Sequence, residues 1–506
     1  MKGKIALKNV LCELFNQIIV ITRGLIVPKL IIESYGSSVN GLVSSITKFL
    51  ALIIIFDGGF NAVIKSQLYK PIVDNNKELL QKILFSAHKL FKKISKIFVV
   101  YVLILLILYP LIVSDFEWKF VDSLIIVIAL STFCEYYYGN TYKIYLQAIG
   151  KANLVSIING LLTLISSIVI IVLIKNDGSI LMIKLISSIA FIIKPIFYNI
   201  YVRKKYKINI KKNQNGYEIK NKRDGLAQHI AWVIFENTDI VILTLFSSLA
   251  NVSIYSIYSM ICIAIRSVVY SMTNGIDSIF GNTIAGGDNK SLKFQFEIYE
   301  VAYFTIITII FALSIILITP FISVYTVNIN DIDYVNKTLG ILFILSEYIF
   351  AVQLPYRSLI HGAGHFKETK IGAWVECILN ILISIILVFK LGLIGVIIGT
   401  LISLSIRTLE FIVHANKNIL KRKVKYSLKI IAAMLFETIL IILISKCIPS
   451  FLNNSFSNFI VYSLIELMVS MIIVFTINYQ IYKNNYKKLY LYLKNFLYWK
   501  NETNII

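Results

Sequence analysis

Charge is scarce in this chain, and negative charge scarcest of all. Asp and Glu number 27 against 50 Lys and Arg, and charged residues make up 15% of 506. Soluble domains carry about 25% charged residues, so an ordinary globular protein is excluded. Cysteine occurs five times, as Cys12, Cys134, Cys262, Cys377 and Cys447, each alone within or at the end of an apolar stretch. Without a CxxC pair, neither a zinc site nor a disulfide framework is expected. The glycine-bearing stretch from Gly281 to Gly287 lacks the GK[ST] ending of a phosphate-binding loop, so no ATP site is expected. A cleavable signal peptide is also not expected. The first apolar segment is too long, contains Arg23 and Pro28, and lacks a small-residue cleavage pattern.

Hydrophobic residues are plentiful, at 57% of the chain with a mean hydropathy of +0.77. Apolar runs of roughly twenty residues recur along nearly the whole length, each enough to cross a ~30 Å hydrocarbon core. They predict an all-α polytopic membrane protein with about fourteen transmembrane helices. The expected spans are 10–32, 39–64, 94–114, 121–148, 152–174, 179–202, 226–247, 251–284, 298–326, 335–361, 367–389, 392–415, 428–449 and 458–481. The net charge of +23 would suggest nucleic acid in a soluble protein. Here it is sorted between alternate loops, as membrane orientation requires, and no nucleic-acid partner is expected. Lys70 to Lys96, Arg203 to Arg223, Lys417 to Lys425 and Lys483 to Lys500 are basic segments. By contrast, Asp115, Glu117 and Asp122 outnumber Lys119, and Asp331 and Asp333 stand without a cation. With an even number of spans, every basic segment falls on the cytoplasmic side, both termini included. An abundance of Ile, Lys and Asn points to an AT-rich bacterial genome, hence to the bacterial inner membrane.

Laid on itself at an offset of about 214 residues, the chain repeats its punctuation. Asn75-Asn76-Lys77 matches Asp288-Asn289-Lys290, and Leu111-Ile112 after Pro110 matches Phe321-Ile322 after Pro320. Gly150 matches Gly364, and Ile186-Ser187-Ser188 matches Ile402-Ser403. Six spans per copy is an even number, so the two copies share one orientation and are expected to form parallel lobes about a pseudo-twofold axis along the membrane normal. The expected organisation is a six-helix lobe at 1–202, a basic cytoplasmic linker at 203–225, a second lobe at 226–415, two additional helices within 416–481 and a basic tail at 482–506. Two facing lobes imply a central cleft.

Charged residues inside spans are expensive, so each is a functional candidate. Arg23, Lys48 and Arg266 fall in spans one, two and eight. At similar depth they would suit a diphosphate, with arginine offering a planar fork and lysine a point charge. The plainer alternative is that they snorkel, or pair with Glu236 and Asp239 of span seven. Glu236 and Asp239 lie three apart, on one helix face, and would serve either ion coupling or charge pairing. Asp57, before Gly58-Gly59, is assigned the same two roles or the capping of a helix break. Glu135, Glu347, Glu376 and Glu410 complete the acidic set. Arg422 reads as a loop cation that serves topology alone. Asp331-Ile332-Asp333 imitates a glycosyltransferase DxD but sits in a short outer loop, away from nucleotide sugars. His361 and His365, four apart, would be solvated in a basic inner loop rather than bind metal. No cofactor and no catalytic group is expected.

The stretch Tyr35-Gly36 through Asn40-Gly41-Leu42, running into Phe56-Asp57-Gly58-Gly59-Phe60-Asn61, resembles the Wzx-type oligosaccharide flippases. These belong to the multidrug/oligosaccharidyl-lipid/polysaccharide exporter (MOP) superfamily. The Gln147-Ala148-Ile149-Gly150-Lys151 close of span four adds to the likeness, which covers spans one to twelve. The resemblance implies a transporter rather than an enzyme. It implies alternating access and an undecaprenyl-diphosphate-linked oligosaccharide as substrate, handled by cavity cations. Fourteen spans with Arg23, Lys48 and Arg266 also look like the related lipid II flippases. Membrane lipids, a polysaccharide polymerase and other assembly proteins are the further partners such a role would bring. A multidrug exporter of the same superfamily would more often show an acidic cavity. A polymerase would need a large external loop, and the outer loops here are short.

Overall fold

A computed structural model describes residues 2–57, 59–208, 217, 223–273, 276–448 and 455–483. Among these residues every regular element is a helix. In lipid no water satisfies a backbone N–H or C=O, so apolar runs of this length bond within themselves as helices. Fourteen helices are long and apolar enough to span, one for each expected span. The protein is a multi-pass membrane protein.

The first half contains α1 (Lys2–Tyr35), α2 (Ser37–Ala51), the short α3 (Ile54–Asp57), α4 (Phe60–Val73), α5 (Lys77–Ile112), α6 (Trp118–Cys134), α7 (Asn140–Ala148), α8 (Ala152–Lys175) and α9 (Ile180–Tyr206). The second contains α10 (Arg223–Phe246), α11 (Leu249–Thr273), α12 (Ile276–Ala285), α13 (Asn289–Tyr325), α14 (Lys337–Ala363), α15 (Lys370–Leu391), α16 (Leu393–His414), α17 (Lys425–Ser445) and α18 (Phe456–Ile481). A π turn, Glu135–Gly139, joins α6 to α7, and another, Ala415–Ile419, follows α16.

Span two is broken at the Asp57-Gly58-Gly59 stretch, where the sequence offered a helix break. Span two stops at Asp57, and α4 starts from Gly59 in a left-handed conformation (φ 71°). In the opposite sense, spans three and nine run on into the loops before them. At 36 and 37 residues, α5 and α13 are about 55 Å long at 1.5 Å per residue, well beyond the hydrocarbon core.

The repeated punctuation has the same physical basis in both halves. The Asn76 side chain caps α5 by accepting from the Leu79 N–H, and Asp288 caps α13 by accepting from the Ser291 N–H, both at 2.9 Å. Gly150 and Gly364, with φ of 76° and 73°, end their helices with paired bonds back into the last turn. Lys151 N donates to Leu146 O and His365 N to Ile360 O, the glycine-closed helix terminus that only a residue free of a Cβ enters easily.

The packing divides the chain into two compact units, 1–260 and 261–506. Most of the 203–225 segment lies outside the described residues. Within the first unit α10 packs on α2 through polar contacts. Ser45 and Thr244 hydroxyls meet at 2.6 Å, and Asn40 donates to Ser253 on α11 at 2.8 Å. Gly41 makes this approach possible, because a Cβ there would lie 1.8 Å from the Leu249 carbonyl oxygen. Large apolar side chains such as Leu111, Ile371 and Phe389 are exposed, as lipid-facing residues should be.

Within the second unit, Arg422 overturns the reading of a loop cation. Its side chain is only 4% exposed. Nη2 donates to Glu300 Oε2 at 2.7 Å and to Ser427 at 2.8 Å, and Nε donates to Asn416 Oδ1 at 2.5 Å. Glu300, wholly buried on α13, also accepts from Tyr356 and Ser427. The turn after α16 thus inserts a cation into the unit to meet an acid that sequence distance concealed.

Candidate functional site

Three helices of the first unit carry polar stripes at helical spacing. On α1 the stripe is Glu13, Asn16 and Arg23; on α8 it is Ser156, Asn159, Thr163 and Ser166; on α9 it is Lys184, Ser187 and Lys194. Such stripes in otherwise apolar spans turn towards protein rather than lipid. Here they converge, with Gly160 of α8 lying against Asn16 and Ile19 of α1.

Two adjoining cavities open among them. The larger, about 530 Å³, is bordered by Arg23, Asp57, Glu135, Lys143, Lys184 and Ser187, among others. The smaller, about 310 Å³, shares Glu135, Lys143 and Phe191 and adds Glu13, Asn159 and Lys194. Four cations thus meet three acids.

The pairing is uneven. Lys143 is matched to Glu135 at 3.1 Å. Glu13 accepts from Ser156 at 2.5 Å, and Asn61 donates to Asp57 at 2.8 Å, leaving Asp57 Oδ1 buried without a partner. Arg23 spends its fork on two neutral hydroxyls, Ser166 at 3.0 Å and Ser187 at 3.1 Å. Lys194 donates to Asn159 Oδ1 at 2.5 Å and lies 3.8 Å from the centre of the Phe191 ring. Among the described residues, no carboxylate lies within ion-pair distance of Arg23, Lys184 or Lys194. A cation held in such surroundings without a counter-charge is costly. An entering anion would relieve that cost through charge-assisted hydrogen bonds.

The expected site residues are placed as follows. Arg23 and Asp57 border the larger cavity. Lys48 points elsewhere, donating to the Glu236 backbone carbonyl at 3.2 Å. Asp239 accepts from Tyr255 at 2.5 Å. In the second unit Arg266 is clamped by Glu347 in a two-point pair, Nε to Oε2 at 2.8 Å and Nη2 to Oε1 at 2.5 Å, with Phe350 4.5 Å from the guanidinium carbon. Glu410 and Glu376 hold Arg407, at 2.6 and 3.6 Å. His365 meets His414 at 3.1 Å, while His361 stacks on Phe366. Sequence reasoning passed over Lys184, Lys194 and Arg407. The signal was available, since each is a cation inside an apolar span.

No family model matches the sequence, and no curated protein matches it. Solved structures do. The chain is similar to the lipid II flippase MurJ in an inward closed conformation, with a TM-score of 0.69 at 16% identity, over 94% of this chain and 99% of that one. It is similar to an inward-facing multidrug resistance MATE family transporter of the MOP superfamily, with a TM-score of 0.59 at 14% identity, over 81% and 98%. A Pyrococcus furiosus MOP superfamily transporter, whose reversed pocket polarity was taken to suggest a different function, matches with a TM-score of 0.53 at 14% identity, over 83% and 97%. The chain therefore has the all-α fold of the MOP superfamily.

Proposed function

We propose that this protein is a flippase that carries undecaprenyl-diphosphate-linked oligosaccharide units across the bacterial cytoplasmic membrane for polysaccharide assembly. The observation that carries the reading is the set of cations without carboxylate partners in the first unit, Arg23, Lys184 and Lys194. Cavities of roughly 300–1,000 Å³ suit ligands of small-molecule size. The larger one here is about 530 Å³, room for a diphosphate and its first sugar but not for a whole saccharide and polyprenyl tail. In this reading Arg23 is a phosphate ligand, and Lys48 and Arg266 are substrate-binding cations within their own units. The protein alternates access to the two membrane faces, with both termini in the cytoplasm. A reporter fused at Asn330 should then read external, and a cytoplasmic signal there would remove the orientation.

Lipid II is the second substrate to weigh, because the likeness to MurJ extends over 94% of this chain. The deciding experiment reconstitutes the full chain in proteoliposomes and offers three ligands separately. They are a polyprenyl-diphosphate oligosaccharide, lipid II and a cationic drug. Movement of the first is expected, with little of the third. Drug transport without lipid movement would replace the flippase with a multidrug exporter.

A further inference from the structure

The two helices appended to the repeat, α17 and α18, hold two acids where lipid-spanning helices should be apolar. Glu437 is 1% exposed and Glu466 wholly buried. Each has one oxygen bonded and one buried without a partner. Asn478 donates to Glu437 Oε2 at 3.1 Å, and Ser445 to Glu466 Oε1 at 2.6 Å. Glu437 Oε1, Glu466 Oε2 and the wholly buried Ser470 hydroxyl have no hydrogen-bond partner among the described residues. Glu466 and Ser470 belong to one buried ladder on α18, Tyr462, Glu466, Ser470, Val474 and Asn478, four apart throughout, and Glu437 faces it from α17 through Asn478.

No Lys, Arg or His among the described residues pairs with either acid. The titratable groups that face them are tyrosines. Tyr348 of α14 shares a hydrogen bond with Thr438 at 2.8 Å, and Tyr462 of α18 lies against Ser445. The surface that α13 offers is apolar. Ile309 and Ala312 cluster with Ile441 of α17 and Val474 of α18. On each helix the apolar residue of this cluster lies between two polar levels, Ile441 between Glu437 and Ser445, and Val474 between Glu466 and Asn478.

We propose that α17 and α18 form a proton-binding element. Glu437 and Glu466 take up and release protons on either side of the apolar layer, and this cycle drives the transport step proposed above. Each uptake adds one proton to the unpartnered oxygen and converts a carboxylate into a neutral acid. A carboxylate without a cation is expensive in an apolar layer, so binding a proton removes the cost without any other ligand. The link to transport is α14. Glu347 holds Arg266, while the next residue, Tyr348, bonds to Thr438 beside Glu437. A change of charge at Glu437 therefore acts on the same helical turn that holds Arg266. The coupling clause rests on the flippase reading; the proton site does not.

The test uses the full chain in lipid nanodiscs and reads the infrared carbonyl band of protonated carboxylic acids against pH. A buried-acid band that fades as pH rises is expected, and Glu437→Gln and Glu466→Gln should each remove part of it. In proteoliposomes with an imposed pH gradient, each variant should flip lipid-linked saccharide about tenfold more slowly or worse. If no such band exists, or if sodium rather than protons changes it, the proposal is overturned. It is equally overturned if both Gln variants flip at the wild-type rate, for the acids then only join helices as neutral polar groups. Should a variant fail to insert, titration of the wild-type band still decides. A titrating band in a protein that moves no lipid-linked saccharide would remove the flippase reading and leave the proton site standing.

Discussion

Arg422→Ala is expected to destabilise the second unit by about 3–5 kcal/mol, the usual cost of stripping one partner from a buried ion pair. Glu300 is wholly buried and would be left with only Tyr356 and Ser427 as donors. Glu297, 3.7 Å from Arg422, would lose its cation as well. Membrane abundance and thermal unfolding in detergent would read the loss. The double variant Arg422→Met with Glu300→Gln should recover much of it, because the stranded acid is gone. Normal abundance and unaltered unfolding in Arg422→Ala would show that the network contributes little. The result matters beyond stability, since by sequence this residue reads as an inert topological marker.

Arg23→Ala is expected to stop transport while leaving the protein inserted and abundant. Removing one partner from a desolvated charge contact costs about 2–5 kcal/mol, more than a tenfold fall in rate. Ser166 and Ser187 would lose their donor, but both also donate to carbonyls of their own helices, so neither is stranded. Arg23→Lys should keep part of the activity, because charge survives while the fork that spans the two serines does not. Lys184→Ala should lower transport as well, since Lys184 borders the same cavity. Export of polysaccharide from cells, normalised to membrane abundance, is the measurement. Normal export in both alanine variants would discard the cavity as an anion site.

Much of the fold was legible in the residues. Apolar length, the constraint that lipid places on the backbone and the sorting of lysines predict fourteen spans, and fourteen helices match them. Where the reading failed, the cause was local. The starts of α5 and α13 are lysine-rich, so hydropathy assigned Lys77 to Lys93 and Lys290 to Lys293 to loops although the helices run through them.

The site divided along the same line. That Arg23, Lys48, Arg266 and Asp57 must each be compensated follows from the cost of charge in a bilayer, which any hydropathy reading exposes. Their partners do not follow. Arg23 meets serines 143 and 164 residues away, Arg266 meets an acid 81 away, and Arg422 an acid 122 away. A sequence fixes how many charges must be compensated within the membrane, because transfer cost depends on residue type alone. Which charges compensate one another depends on helix rotation and register. These are set by packing contacts such as Gly41 against Leu249, and only the tertiary structure decides them.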